Sequence, residues 1–292
     1  MSKKVKMLMV LAFMIGSLGG LAEYFSPSVR VDDNDLFGMQ ESVEASSLAP
    51  TISAEGAILI NAEDGSVIYE KNADKRLYPA STTKIMTALI GLEIMDEINA
   101  ELDSEIKVPK EAVGIEGSSL YLKEGEIVTA EELLYGIMLQ SGNDGATALA
   151  ISLGGNMSNF VERMNKKAVE LGCRETDFVN PSGLFDKDHY TTARDLALIS
   201  KAAMETQAFR EIVSSKNWSS DTTGRSFTNK NKTIAEYEGA TGVKIGYTKK
   251  SGRTLVASAK RGDIELIAVV LNAPNWFQDA YALLDYGFAR DN

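Results

Sequence analysis

Strand-like runs stand at both ends of the folded part of this chain, with helical runs between them, and that order narrows the fold more than any other feature. Residues 56–71, GAILINAEDGSVIYEK, form two alternating runs around Asp64-Gly65, a pair that suits the tight turn of a hairpin. In the last third, 242–248 (GVKIGYT), 253–260 (RTLVASAK) and 264–271 (IELIAVVL) read as strands with turn residues between them, after a shorter run at 226–230. A helix over 279–288 closes the chain. In the middle, Pro79 introduces an apolar segment from Ile85 to Ile98, too long for a strand, which reads as a buried helix starting near Ser81. Further helices are expected over 131–140, 144–153, 159–171 and 193–205, with Gly154-Gly155 and Gly172 as C-terminal stops for two of them. The pattern predicts an α+β fold, in which the first hairpin joins the last three strands in one antiparallel sheet packed with a helical cluster.

The chain has 292 residues, 44% of them hydrophobic, enough for a substantial core. One cysteine, Cys173, and one histidine, His189, leave too few ligands for a His/Cys zinc site and no partner for an intrachain disulfide. At the N-terminus, Lys3, Lys4 and Lys6 precede an apolar run over 7–22 with Gly20 and Ala22 at the small-residue positions. That is the layout of a secretory signal, and the run is short for an uncleaved anchor. Residues 1–22 are therefore expected to export the rest of the chain across the cytoplasmic membrane, to its outer face, the cell wall or the medium. Any membrane contact is expected only through this segment, if it is retained. Its removal moves the formal net charge from −11 to −14, which disfavours nucleic acid as a partner. Residues 23–54 are rich in Ser, Pro, Asp and Glu and read as a solvated acidic linker, leaving 55–292 as the folded domain.

Three sites carry candidate chemistry. In Pro79-Ala-Ser-Thr-Thr-Lys84, Ser81 sits at the expected helix start and Lys84 one turn on. Ser81 is either a cap or a nucleophile whose base, Lys84, shares its face. Ser104-Glu-Ile-Lys107 matches the same spacing but reads as strand, where its ends face opposite ways. Ser141-Gly-Asn143 follows the helix ending at Gln140 and is either turn chemistry or a pair of cleft residues. Lys244-Ile-Gly246 lies on an expected strand, where a lysine could hold a carboxylate and a glycine lets a substrate backbone approach.

In their order and spacing, these three boxes resemble the penicillin-recognising serine hydrolases. The resemblance is to the D-alanyl-D-alanine carboxypeptidases, from about Gly56 to Phe288. It includes Asn180-Pro-Ser-Gly-Leu184, His189-Tyr-Thr-Thr-Ala-Arg-Asp-Leu-Ala197 and Leu283-Leu-Asp-Tyr-Gly-Phe288. It implies a DD-peptidase or β-lactamase-like fold and hydrolysis of the terminal D-Ala-D-Ala bond of peptidoglycan stem peptides. Ser81 would be acylated, with Lys84 as its base. Ser141 would relay a proton and Asn143 would hold the substrate amide. Lys244 and Gly246 would line the carboxylate side, and the backbone N–H groups of Ser81 and Tyr247 would form the oxyanion hole. β-Lactams would be covalent inhibitors, no cofactor is implied, and His189 falls outside the catalytic boxes.

Two departures stand out. The middle of the third box is usually threonine and here is Ile245, and 272–277 (NAPNWF) lacks the arginine that many relatives place before the final helix. A DD-endopeptidase would use the same residues. A substrate-binding or penicillin-binding protein slowed by Ile245 is a further alternative. A β-lactamase fits less well, because no Glu-x-x-x-Asn box stands between 141 and 244 where it could position a deacylating water.

Overall fold

The computed structural model describes residues 48–290. The export signal expected over 1–22 and most of the expected linker lie outside the described residues. The packed chain starts before Glu55: Ile52 and Ala54 are buried in the core beneath the C-terminal helix. Between them Ser53 donates to Asp279 through its backbone N–H at 2.9 Å and its hydroxyl at 2.7 Å. Two apolar residues in so short a stretch give no periodic signal, so composition alone assigns them to the linker.

The hairpin forms as expected from β1 (Gly56–Asn61) and β2 (Val67–Lys71), with Gly65 at φ 76° in its turn. A 3₁₀ turn, Ala80–Thr83, runs into α1 (Lys84–Glu97). β3 (Glu105–Lys107), β4 (Ile127–Thr129) and α2 (Ala130–Tyr135) follow, and α2 continues as a π-helical turn over Gly136–Gln140. α3 (Asn143–Gly154), α4 (Met157–Glu170), α5 (Ala193–Glu205) and α6 (Gln207–Ser214) complete the helical cluster. β5 (Asn217–Ser219) and β6 (Ser226–Thr228) pair as a separate ribbon, and α7 (Thr233–Glu236) is a single turn. β7 (Ala240–Thr248), β8 (Gly252–Arg261), β9 (Ile264–Leu271) and α8 (Trp276–Arg290) end the fold.

The main sheet runs β2-β1-β9-β8-β7 with every neighbouring pair antiparallel, so the first hairpin does join the last three strands. This order leaves β7, with Lys244-Ile-Gly246, at an edge. The period of two divides the strands between two cores. Ile58, Ile60, Ile267 and Val269 face the helical cluster, while Ala57, Leu59, Ala268 and Val270 face α8. α1 is buried on all sides except at Glu93, Asp96 and Glu97, as an apolar helix without a polar face must be. Its first residue, Lys84, is buried with it. Among the described residues no helix is long and apolar enough to cross a membrane.

Candidate active site

Ser81 lies in the 3₁₀ turn and not in the first turn of the α-helix, which begins at Lys84. The reason is local. The carbonyl of Pro79 accepts from the Thr82 N–H at 3.3 Å, the bond of a 3₁₀ turn, and from the hydroxyls of Thr82 at 2.6 Å and Thr254 of β8 at 3.0 Å, which hold it in this tighter turn. Ala80 beside it has φ 49°, a conformation a non-glycine residue adopts only when its surroundings impose it. Those surroundings are two close backbone approaches. A Cβ on Gly246 of β7 would lie 2.8 Å from the Ser81 nitrogen and 2.4 Å from Thr254 Oγ1. A Cβ on Gly183 would lie 1.8 Å from the Ala80 carbonyl oxygen. The serine turn is thus wedged between the edge strand and the Asn180–Leu184 loop, and both glycines are needed for it to fit.

Lys84 is wholly buried, and its Nζ has three neighbours. It lies 3.2 Å from Ser81 Oγ, donates to Asn143 Oδ1 at 2.7 Å, and donates to the carbonyl oxygen of Ser182. Burial, reinforced by the nearby Lys244 charge and opposed by Asp144, holds its pKa well below that of an ordinary lysine. A neutral amine has two N–H bonds and one lone pair. Two of the three neighbours are carbonyl oxygens that can only accept, so they take both hydrogens, and the lone pair is left for the Ser81 hydroxyl. The Ser182 carbonyl is held in turn by its loop, where Asn180 Oδ1 accepts from the Ser182 and Gly183 N–H groups at 3.1 and 2.8 Å. Thr87 Oγ1 ties Pro181 O to α1 at 2.6 Å. The sequence reading included 180–184 in the resemblance but assigned it no site role; a backbone carbonyl leaves no residue-type signal.

Ser141 and Asn143 both come to the site, with different contacts. Asn143 spans from Lys84 to the Glu116 carbonyl, to which its Nδ2 donates at 2.7 Å. Ser141 is buried with φ 65°, and its hydroxyl is not among the partners of Lys84. Asp144, unassigned from sequence, supports this wall. Its buried carboxylate accepts from the N–H groups of Leu120 and Leu122 and from the Ser119 hydroxyl, and so shapes the loop facing Asn143. Lys244 is wholly buried too, donates to Ile245 O at 3.2 Å, and has its pKa pushed down to about 7 by burial and then by Lys230.

Ile245 points the other way from Lys244. It pairs across the sheet with Leu255 and packs against the α8 core, whereas Lys244 and Gly246 share the site face. Tyr247 pairs with Arg253 and is 62% exposed. A guanidinium does reach the 272–276 loop, but from β8: Arg253 donates to Pro274 O at 2.7 Å and lies over the Trp276 ring. His189 is buried and makes no contact with Ser81. Its Nδ1 accepts from the Val179 N–H at 3.1 Å, which leaves Nε2–H to donate to Thr83 Oγ1 at 2.8 Å. Burial lowers its pKa to about 4, so it stays neutral and braces the residue before Lys84. Ser104 and Lys107 lie on or beside β3, away from these groups.

The fold that holds this serine and lysine, a five-stranded antiparallel sheet packed with helices, agrees with what the comparisons with known proteins show. The model of the D-alanyl-D-alanine carboxypeptidase family, peptidase S11, matches residues 42–275, and the chain belongs to that family. The D-alanyl-D-alanine carboxypeptidase DacF of Bacillus subtilis is 38% identical over 260 residues, covering 87% of this chain and 66% of its own. The D-alanyl-D-alanine carboxypeptidase of Streptomyces sp. strain K15 is 34% identical over 261 residues, covering 82% of this chain and 89% of its own. The crystal structure of the Streptomyces K15 DD-transpeptidase superposes with a TM-score of 0.77 at 35% identity, covering 83% of this chain and 99% of the other. The chain thus spans just under two thirds of the length of the Bacillus relative.

Proposed function

We propose that this chain is a serine-type carboxypeptidase that removes the terminal D-alanine from peptidoglycan stem peptides during cell-wall remodelling outside the cytoplasmic membrane. Residues 1–22 would direct export, and the folded domain would carry the whole reaction. The observation that carries this reading is the environment of Lys84, whose two donor contacts to carbonyls leave a lone pair 3.2 Å from Ser81 Oγ. Ser81 Oγ attacks the D-Ala-D-Ala carbonyl and Lys84 takes its proton. The oxyanion is met by the backbone N–H groups of Ser81 and Tyr247. The leaving D-alanine amine takes the proton that Lys84 removed, passed on through Ser141, and water then hydrolyses the Ser81 ester. Lys244 in its charged form attracts the terminal carboxylate, and Asn143 orients both Lys84 and the substrate amide. A β-lactam offers a ring-strained amide in place of the D-Ala-D-Ala bond and would stop at the ester.

The structural likeness to a protein named a DD-transpeptidase gives a second reading, in which an amine replaces water as acceptor. The deciding experiment incubates purified 23–292 with a synthetic pentapeptide, with cross-linked muropeptide, and with pentapeptide plus an amine acceptor. Mass spectrometry then identifies the products. Free D-alanine from the pentapeptide is expected; cleavage of cross-links alone would make the chain an endopeptidase, and transfer to the amine a transpeptidase. Labelled penicillin should attach to Ser81, and labelling that survives Ser81→Ala would overturn the assignment.

A further inference from the structure

Outside the three boxes, Lys230 makes an unusual set of contacts. Its backbone N–H donates to Leu139 O at 3.1 Å and its Nζ to Gln140 O at 3.0 Å. Gln140 Nε2 donates back to Thr228 O at 2.8 Å. Three bonds therefore tie the end of β6 to the C-terminal end of the π-helical turn, immediately before Ser141. The last carbonyls of a helix lack intrahelical partners and carry the negative end of its dipole, so an ammonium there is doubly favoured. Ser141, the next residue, holds a left-handed φ of 65°, which an L-residue keeps only when both flanks are anchored. We propose that Lys230 is a positioning residue for the reaction, fixing the Gln140-Ser141 turn. The proposal rests on the reading of Ser81, Lys84 and Lys244 given above.

The charged groups that bear on this cluster come from four elements or their flanks. Lys84 comes from α1, Asp144 from α3, Lys244 from β7, and Lys230 from the segment after β6. Among them Lys230 is the charge that acts on Lys244, and Lys244 is the one that lowers Lys84. Removing the Lys230 charge lets Lys244 keep its proton to higher pH. If charged Lys244 attracts the substrate carboxylate, the alkaline limb of acylation must then move up. Much of the Lys230 side chain is open to solvent, so screening limits the displacement.

The test measures the second-order rate of penicillin acylation at Ser81 from pH 5 to pH 10 for wild type, Lys230→Met, Lys230→Gln and Lys230→Arg. The amide of the glutamine variant can still donate to Gln140 O, so it separates the turn from the charge. Both neutral variants are expected to shift the alkaline limb upward by about half a pH unit. Lys230→Met is also expected to lose about three- to tenfold in rate at the optimum through the loosened turn. Lys230→Arg, which keeps charge and donors, should follow wild type. Acylation by Lys230→Met at the wild-type rate, or a loss that Lys230→Arg shares, would overturn the proposal, wherever the alkaline limb falls. Wild type that fails to acylate at Ser81 would instead overturn the underlying reading, and this proposal with it.

Discussion

On the α8 face of the sheet, the buried carboxylate of Asp279 accepts two hydrogen bonds from Ser53 and is otherwise surrounded by the apolar residues of that core. On the helical face, the buried amines of Lys84 and Lys244 hydrogen-bond no carboxylate; their partners are Ser81, Asn143 and backbone carbonyls. A buried carboxylate that accepts from another segment ties the two together, whereas burying two like cations without a paired anion drives both towards their neutral forms. Stability and reactivity therefore lie on opposite faces of one sheet. Glu132 shows that the helical side can also close a pair: it is wholly buried, and Arg225 at 2.7 Å and the Thr223 hydroxyl at 2.7 Å satisfy it.

The largest test of this contrast is Lys84→Arg. A guanidinium keeps the positive charge and cannot give up its proton, so acylation should fall by about 10³-fold or more, measured by labelled-penicillin kinetics. Retained acylation would place the base elsewhere. The next pair of variants puts one methyl on each face. Gly246→Ala forces β7 away from the Ser81 nitrogen and should lower kcat/KM by about 100-fold. Gly287→Ala, whose Cβ would meet Leu266 Cδ1 at 2.5 Å, should cost about 1–3 kcal/mol in chemical denaturation while leaving acylation intact. If both variants lost activity in proportion to stability, the two faces would not be separate.

A third test uses pH. Lys244 has a folded-state pKa of about 7, depressed from the ordinary lysine value, so between these two values the unfolded chain binds more protons than the folded one. Stability should therefore rise with pH across that interval, and the destabilisation should be fully present below it. Replacing Lys244 by Met should remove up to about 1.4 kcal/mol per pH unit from the slope, read from denaturation at several pH values. An unchanged slope would show that Lys244 keeps its proton across this interval in the folded chain as in the unfolded one, so that burial does not lower its pKa. The smallest effect is expected from Ile245→Thr. Because Ile245 packs on the α8 side, the substitution should cost about 1 kcal/mol of stability. It should also change kcat/KM equally on a D-Ala-D-Ala peptide and on its amidated form. A gain confined to the free carboxylate would show that position 245 reaches the substrate after all.

Much of this was open to sequence reading because it depends on periodicity and order. The alternation in 56–71 and 264–271 determined the hairpin and the last strand, and the unbroken apolar run after Pro79 determined a helix with no solvent face. The sequence by itself also singled out Ser81, Lys84, Ser141, Asn143 and Lys244, because side-chain type and spacing are written in it. Only the tertiary structure decided what those side chains can do. It started the helix at Lys84, past a 3₁₀ turn in which the Pro79 carbonyl is held by Thr82 and Thr254, and it turned Ile245 away from the site face. It also brought the Ser182 carbonyl, from a loop remote in sequence, onto the Lys84 amine. Periodicity reports which face of an element is apolar. Protonation and hydrogen-bond direction instead depend on which groups meet across the fold, and backbone carbonyls, identical in every residue, leave no trace in the order of side chains.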